Sequence, residues 1–205
     1  MTGLRPTAAH NPMASKSMDV SSERLLLQRA RDGHAGAFDQ LFVQNKDSVY
    51  ACLWHLLDED ADLVEEAVGN VFLNAYRALP RFRGDSSFST WLYRIAINEA
   101  RAMRSRKKRW QQLAGISLHE EVLRSQPSAR DGDPAVDVAR QEEERLLKEA
   151  VRHLPEPYKT PVVLRYFNGL AANEVAEILK RPAGTVRYQV SRGLSLLRER
   201  LGREG

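Results

Sequence analysis

The stretch FRGDSSFSTWLYRIAINEARAMRSRKKR, Phe82 to Arg109, joins an aromatic-bearing polar loop, Phe82 to Thr90, to a helical pattern that ends with six cationic residues in nine positions, Arg101 to Arg109. On a helical wheel Leu92, Ile95, Ala96 and Met103 share one arc, while Arg94 and Arg101 lie on the opposite arc, so this helix has a buried side and a cationic side. Trp91 and Asn98, seven residues apart, fall on the flank between them. Aromatic planes stack on unpaired bases, amides read base edges and arginines hold phosphates, which makes this a nucleic-acid-facing composition. A plainer reading stands beside it: Phe88, Trp91 and Tyr93 are ordinary core aromatics, and the basic run is a solvated helix end.

Outward from this stretch, 205 residues suit one large or two small domains, and 42% hydrophobic residues suffice for real cores. The net charge of +4 is unevenly spread: Asp58 to Glu66 carries six acids in nine positions, against the basic run at Arg101 to Arg109. Two patches of opposite sign imply two different partners. The single cysteine, Cys52, excludes an internal disulfide framework and a multi-cysteine metal site, and its apolar stripe predicts burial. There is no apolar signal-peptide core and no run long enough to cross a bilayer, so no membrane insertion and a cytoplasmic location are expected.

Taken in order, residues 1–20 lack periodicity and read as a disordered tail. From Ser21 the pattern is helical: Leu25, Leu26 and Ala30 form a face, and Gly33 supplies a stop. Phe38, Leu41, Phe42, Asn45, Val49, Cys52, Leu53 and Leu56 predict a longer helix ending at the acidic loop. A third stripe, Val64, Ala67, Val68, Val71, Phe72, Ala75 and Leu79, runs until Pro80 halts it. Glu99 projects into the apolar arc of the fourth helix and demands a partner that the sequence does not name. The first domain therefore spans 21–109, a Pro-, Gly- and Ser-containing linker spans 110–133, and a second domain spans 134–205. Asp133 and Pro134 are placed to cap and open its first helix. A helix over about 157–168 contains Pro161, and two more, 173–179 and 182–201, flank a tight turn. Nothing alternates as a strand does, so the class is all-α with two small helical domains.

The last helical pair has the form of a helix-turn-helix, whose second helix enters the major groove of duplex DNA. Val186, Val190, Gly193, Leu194, Leu197 and Leu201 form its inward stripe and leave Arg187, Tyr188, Ser191, Arg192 and Ser195 outward. Gly184 and Thr185 offer backbone and hydroxyl donors to phosphate at the helix start. An enzyme is not indicated. His10, His34, His55, His119 and His153 are scattered, no Ser, His and acid constellation is visible, and the acids at Asp58 to Glu66 lack the spacing and central Gly of a calcium loop. No metal and no cofactor is expected.

Four segments together carry a family resemblance: AFDQLF at Ala37 to Phe42, VFLNAYRALPRFRGDSSFSTWLYRIAIN at Val71 to Asn98, LPEPYKTPVVLRYFNGL at Leu154 to Leu170, and PAGTVRYQVSRG at Pro182 to Gly193. From about Ser21 onward the chain resembles the extracytoplasmic-function (ECF) sigma factors of the sigma-70 family. The resemblance implies a first domain that binds the core RNA polymerase clamp and the −10 promoter element, and a second that reads the −35 element as a helix-turn-helix. It carries Phe82 and Asn98 onto a pocket for a flipped non-template base, and Gly84 to Thr90, with Asp85, Ser86, Ser87 and Phe88, onto the recognition loop. Arg83, Trp91, Arg94 and Arg101 join the −10 set, and the basic run would hold phosphates. Asp62, Glu65, Glu66, Asn70, Phe72 and Asn74 would meet core polymerase. Gly184, Thr185, Arg187, Tyr188, Ser191, Arg192 and Ser195 would meet −35 duplex DNA. The implied partners are bacterial core RNA polymerase, promoter DNA and an anti-sigma factor. A stand-alone helix-turn-helix regulator, which binds its duplex site without polymerase, would explain only the C-terminal half.

The chain departs from the family pattern at several places. Gly69 and Asn70 stand where a Gln and an acid are usual, and Gly in a helix interior costs roughly 1 kcal/mol relative to Ala. Ala171 replaces a Ser cap, a loss of about 1 kcal/mol unless Asn173 takes over. Lys180 replaces a turn Gly and predicts a different turn, while Tyr188 and Gln189 alter the duplex-facing helix.

Overall fold

The computed structural model describes residues 20–114 and 134–204. The expected tail, apart from Val20, the linker beyond Ala114 and the Asp133 cap lie outside the described residues. Among those residues every regular element is helical. Helices α1 (Val20–Arg31), α2 (Ala35–Leu56), α3 (Ala61–Ala78) and α4 (Phe88–Ala114) pack as one bundle. Gly33 ends α1 in the left-handed region (φ +85°), as a chain reversal there requires. Asp60 caps α3, accepting a hydrogen bond from the Leu63 amide at 3.2 Å. Pro80 sits in a short 3-10 turn, Leu79–Arg81, that takes the chain into the aromatic loop.

Helix α4 differs from its wheel in two ways. It continues beyond the basic run to Ala114, and it buries Tyr93, Ile97 and Ala100 as well as Leu92, Ala96 and Met103. The cause is a second neighbour: α2 and α3 cover one side of α4, and a helix of the C-terminal half covers another. Glu99 finds its partners within the bundle, accepting from Asn70 Nδ2 at 3.0 Å and Arg106 Nη2 at 3.5 Å. Asn70, where the family carries an acid, thus supplies the donor that the half-buried Glu99 carboxylate needs. Gly69 has no such reason, since a Cβ there meets no atom within 4 Å.

The C-terminal half comprises α5 (Pro134–Arg152), α6 (Glu156–Val162), α7 (Ala172–Leu179) and α8 (Ala183–Glu204). The segment expected as one helix over 157–168 is divided. α6 begins at Glu156 and contains Pro161, whose ring nitrogen has no hydrogen to donate. The winding then widens into a π turn, Val163–Phe167, in which the Asn168 amide reaches back to the Val163 carbonyl at 3.1 Å. Ala171 supplies no side-chain cap to the first-turn amides of α7; what remains is the other bond of a capping box, the Glu174 carboxylate accepting from the Ala171 amide at 2.6 Å. Lys180 does not alter the turn. It adopts the left-handed conformation a glycine would take (φ +51°, ψ +48°), with Lys180 and Arg181 amides donating to the Glu177 and Ala176 carbonyls.

The two halves share one contiguous core. Gly193 permits the close crossing of α6 on α8: a Cβ at this position would lie 2.6 Å from Val162 Cγ2 and 3.3 Å from Tyr158 Cβ. Gly193→Ala should therefore destabilise the chain by about 1–3 kcal/mol in urea unfolding, the cost of overpacking a tight contact. Asn70→Asp should cost about 1–2 kcal/mol by placing a second carboxylate against Glu99. Adding Glu99→Gln should recover most of that loss in a double-mutant cycle.

Candidate nucleic-acid interface

The loop before α4 is held from three directions. Phe82 is buried, its ring 4.9 Å from Trp91 and 6.1 Å from Phe88 between centroids, with the Arg31 guanidinium 5.6 Å from its own centroid. At the start of α4 the Phe88 amide donates to Glu23 Oε1 at 3.1 Å, and the Thr90 amide donates to Ser87 Oγ at 3.1 Å. Ser87 thereby serves as the N-cap, and α1 pins the loop to the bundle. Arg83 and Asp85 form an exposed ion pair at 3.0 Å, and Ser86 is half-buried.

The two readings of the aromatics divide here. Phe88 and Tyr93 are core residues, whereas Trp91 is half-buried and Asn98 exposed on the flank the wheel assigned to them. Burial raises the Tyr93 phenol above its ordinary value, so it stays neutral. Arg31 and Glu23 were not legible as loop supports, because their partners lie far along the chain. Cys52 is fully buried, and that burial pushes its thiol up to about 12, which leaves it unreactive.

The basic run is narrower than its sequence. Arg101, Lys108 and Arg109 are exposed. Arg104 pairs with Glu156 of α6 at 2.5 Å, Lys107 with Asp60 at 3.3 Å, and Arg106 with Glu66 and Glu99 at 3.7 and 3.5 Å. Acids at the α3 start and in α6 thus engage the half-buried Lys107 and Arg104, whereas Arg106 remains exposed and its two pairs are displaceable. Arg94 is also engaged: its Nη2 donates to the Glu177 carbonyl at 2.7 Å, and its Nε donates to the Ile178 carbonyl at 3.3 Å, both at the C-terminus of α7.

On α8 the outward face is as the wheel has it. Gly184, Thr185, Arg187, Tyr188, Ser191 and Arg192 are exposed, Ser195 is half-buried, and Val186 and Leu197 are inward. Arg181 Nη1 donates to Gln189 Oε1 at 3.0 Å across the turn. Arg192 pairs with Glu199 at 3.5 Å, an exposed contact that DNA can displace at little cost. A cavity of about 290 Å³ beside this face is lined by Arg165, Arg187, Ser191 and Arg198 among others. Arg165 and Arg198 therefore extend the cationic surface; Arg198 was within reach of the wheel, three helical turns beyond Arg187.

On α3, Asp62, Glu65, Glu66 and Asn74 are exposed and Asn70 is half-buried. Phe72 is not on this face: it is buried against Phe42, ring centroids 4.5 Å apart, because it belongs to the apolar stripe. Leu73 and Tyr76 are exposed instead. Their signal was available, since both are apolar side chains off the buried stripe. Among the described residues no group of three or more His, Cys, Asp or Glu side chains could hold a metal ion, and no helix is long and apolar enough to cross a membrane.

Two sequence signatures coincide with these two units: Sigma-70 region 2 matches residues 41–110, and Sigma-70 region 4 matches residues 144–197. The chain is 31% identical to the RNA polymerase sigma-H factor of Pseudomonas aeruginosa over 172 residues, covering 83% of this chain and 89% of that one. It is also 31% identical to the ECF RNA polymerase sigma-E factor of Haemophilus influenzae over 184 residues, covering 88% of this chain and 95% of that one. In fold it is similar to CnrH, solved in complex with the cytosolic domain of CnrY, with a TM-score of 0.64 at 22% identity over 90% of this chain and 99% of that one. It is likewise similar to RpoE of Bartonella quintana, solved with the anti-sigma factor NepR, with a TM-score of 0.61 at 23% identity over 80% and 96% of the two chains. With both regions present in order and relatives matched over most of their length, the chain belongs to the extracytoplasmic-function sigma factors of the sigma-70 family.

Proposed function

We infer that the protein joins core RNA polymerase, brings it to promoters by reading their −10 and −35 elements, and promotes melting of the promoter at the −10 element. The observation that carries this is the presence in one chain of two unlike nucleic-acid faces. One is the flank of Trp91 and Asn98 beside the exposed cations of α4, suited to unpaired bases; the other is the exposed face of α8, suited to duplex. The acidic face of α3, with Leu73 and Tyr76 beside it, is our assignment for the polymerase clamp. A stand-alone duplex-binding regulator would leave the α3 face and the aromatic loop without a purpose. The protein carries out no reaction of its own. Capture of an extruded base offsets part of an unstacking cost of a few kcal/mol, so the DNA can be opened without fuel. We assign Phe82 to the floor of the base site through its contact with Trp91, and Asn98 to its rim.

Two solved relatives are described in complexes, with the CnrY cytosolic domain and with the anti-sigma factor NepR. By analogy this chain is held in check by an anti-sigma factor, and it works in the cytoplasm, where polymerase and promoter meet.

Asn98→Ala should still allow closed-complex formation with core polymerase but lower the yield of open complex, read by permanganate reactivity of unpaired thymines. A template with a pre-melted bubble should rescue part of that defect, and should help an Arg192→Ala variant much less, since its loss lies in duplex capture. Equal opening by wild type and Asn98→Ala on paired DNA would refute the base-site role. Reversing Glu65 and Glu66 to Lys should weaken binding to core polymerase without changing helical content; unaltered core affinity would remove the α3 assignment.

A further inference from the structure

Helix α1 lies outside the signature that matches residues 41–110, yet it touches the aromatic loop at both ends. Glu23 accepts from the Phe88 amide at the end of the loop, and Arg31 stands over the Phe82 ring at its start, with the guanidinium carbon 5.6 Å from the ring centroid. A separation of eight residues on a helix is about 12 Å along its axis, and between the two side chains Leu27 is buried.

The groups that cover Phe82 are unequal. Its ring is only 7% exposed. Trp91 and Phe88 belong to α4, and they also pack on one another, ring centroids 5.7 Å apart, so the bundle holds both in place. Arg31 is the last residue of α1, is exposed, and pairs with no carboxylate among the described residues. It is the one cover of this ring that can give way without disturbing the core. A flat cation resting on an aromatic ring also occupies the place that a flat base takes when it stacks. A base between two planes needs roughly 7 Å, about twice the separation of carbon atoms in contact. The guanidinium therefore has to retreat by only about 1–2 Å from where it stands, a distance that a change of side-chain rotamer supplies.

We propose that Arg31 is part of the base site: the extruded base enters between the Phe82 ring and the Arg31 guanidinium and is stacked on both sides, while Asn98 at the rim meets its edge. This rests on the −10 reading given above. A guanidinium plane stacks on any base, whereas an amide distinguishes base edges by its donor and acceptor. Arg31 thus supplies affinity and Asn98 discrimination. A lysine in place of Arg31 keeps the charge but lacks the plane.

The test uses holoenzyme, the full chain with core polymerase, on fork templates made from a promoter footprinted with that holoenzyme. The duplex part is constant, and the single-stranded non-template tail carries an abasic site at each position in turn. Binding is read by fluorescence anisotropy of a dye at the duplex end. Arg31→Ala should weaken binding to the intact tail about 10-fold, and that loss should shrink to less than about 2-fold when one particular tail position is abasic. The same position should silence Asn98→Ala. With each of the four bases placed there, Arg31→Ala should lose binding to all alike and Asn98→Ala unequally, and Arg31→Lys should behave as Arg31→Ala does. Undiminished binding by Arg31→Ala overturns the proposal, as does a loss that persists at every abasic position, recovery with Arg31→Lys, or silencing of the two variants at different positions. Each of these results leaves the −10 reading standing. A wild-type holoenzyme indifferent to every tail base removes that reading, and this inference with it.

Discussion

A 27-residue helix with three obligations limits everything around it. α4 must close the core of its own bundle, receive α7 on a second side, and keep a strip of surface for nucleic acid. The first two obligations consume most of the circumference of its first half, which is why Tyr93, Ile97 and Ala100 are buried and why Asn98 is the one exposed residue between Trp91 and Ala100. Apolar burial at roughly 25 cal/mol per Å² favours every further contact on such a helix. A binding strip survives only because polar side chains occupy it and because charged ones, Arg101 above all, remain at its edge.

How much of this was legible depends on how far each partner lies along the chain. The stripes of α2, α3 and α8 came through because periodicity within one helix reports which side is covered. Tyr93 did not, since the Asn168 amide that meets its hydroxyl lies 75 residues later. Glu99 was recognisable as a carboxylate in need, but its donor Asn70 sits on a different helix, and nothing in either segment alone pairs them. Phe82 shows the same limit from the other side: the family resemblance carried it onto a base pocket, but its burial beneath Arg31 and against Trp91 was not legible from its place in the loop. The division of the helix around Pro161 was foreseeable in kind, whereas the π turn that absorbs it was not.

The departures from the family pattern resolve unevenly. Asn70 is explained by Glu99, to which it donates, whereas Ala171 leaves the start of α7 without a side-chain acceptor, and Glu174 satisfies only the Ala171 amide. Lys180 keeps the backbone of the glycine it replaces and bears the strain of a left-handed side-chain residue, about 1–2 kcal/mol. Gly69 has no structural account.

The fully buried state of Cys52 sets a boundary on what the chain can sense by itself. A thiol with no exposed surface and a pKa pushed up to about 12 offers neither the thiolate nor the access that an oxidant, an alkylating agent or a soft metal needs. It is the chain's sole thiol, so the folded protein has no sulfhydryl chemistry with which to report electrophilic or oxidative damage.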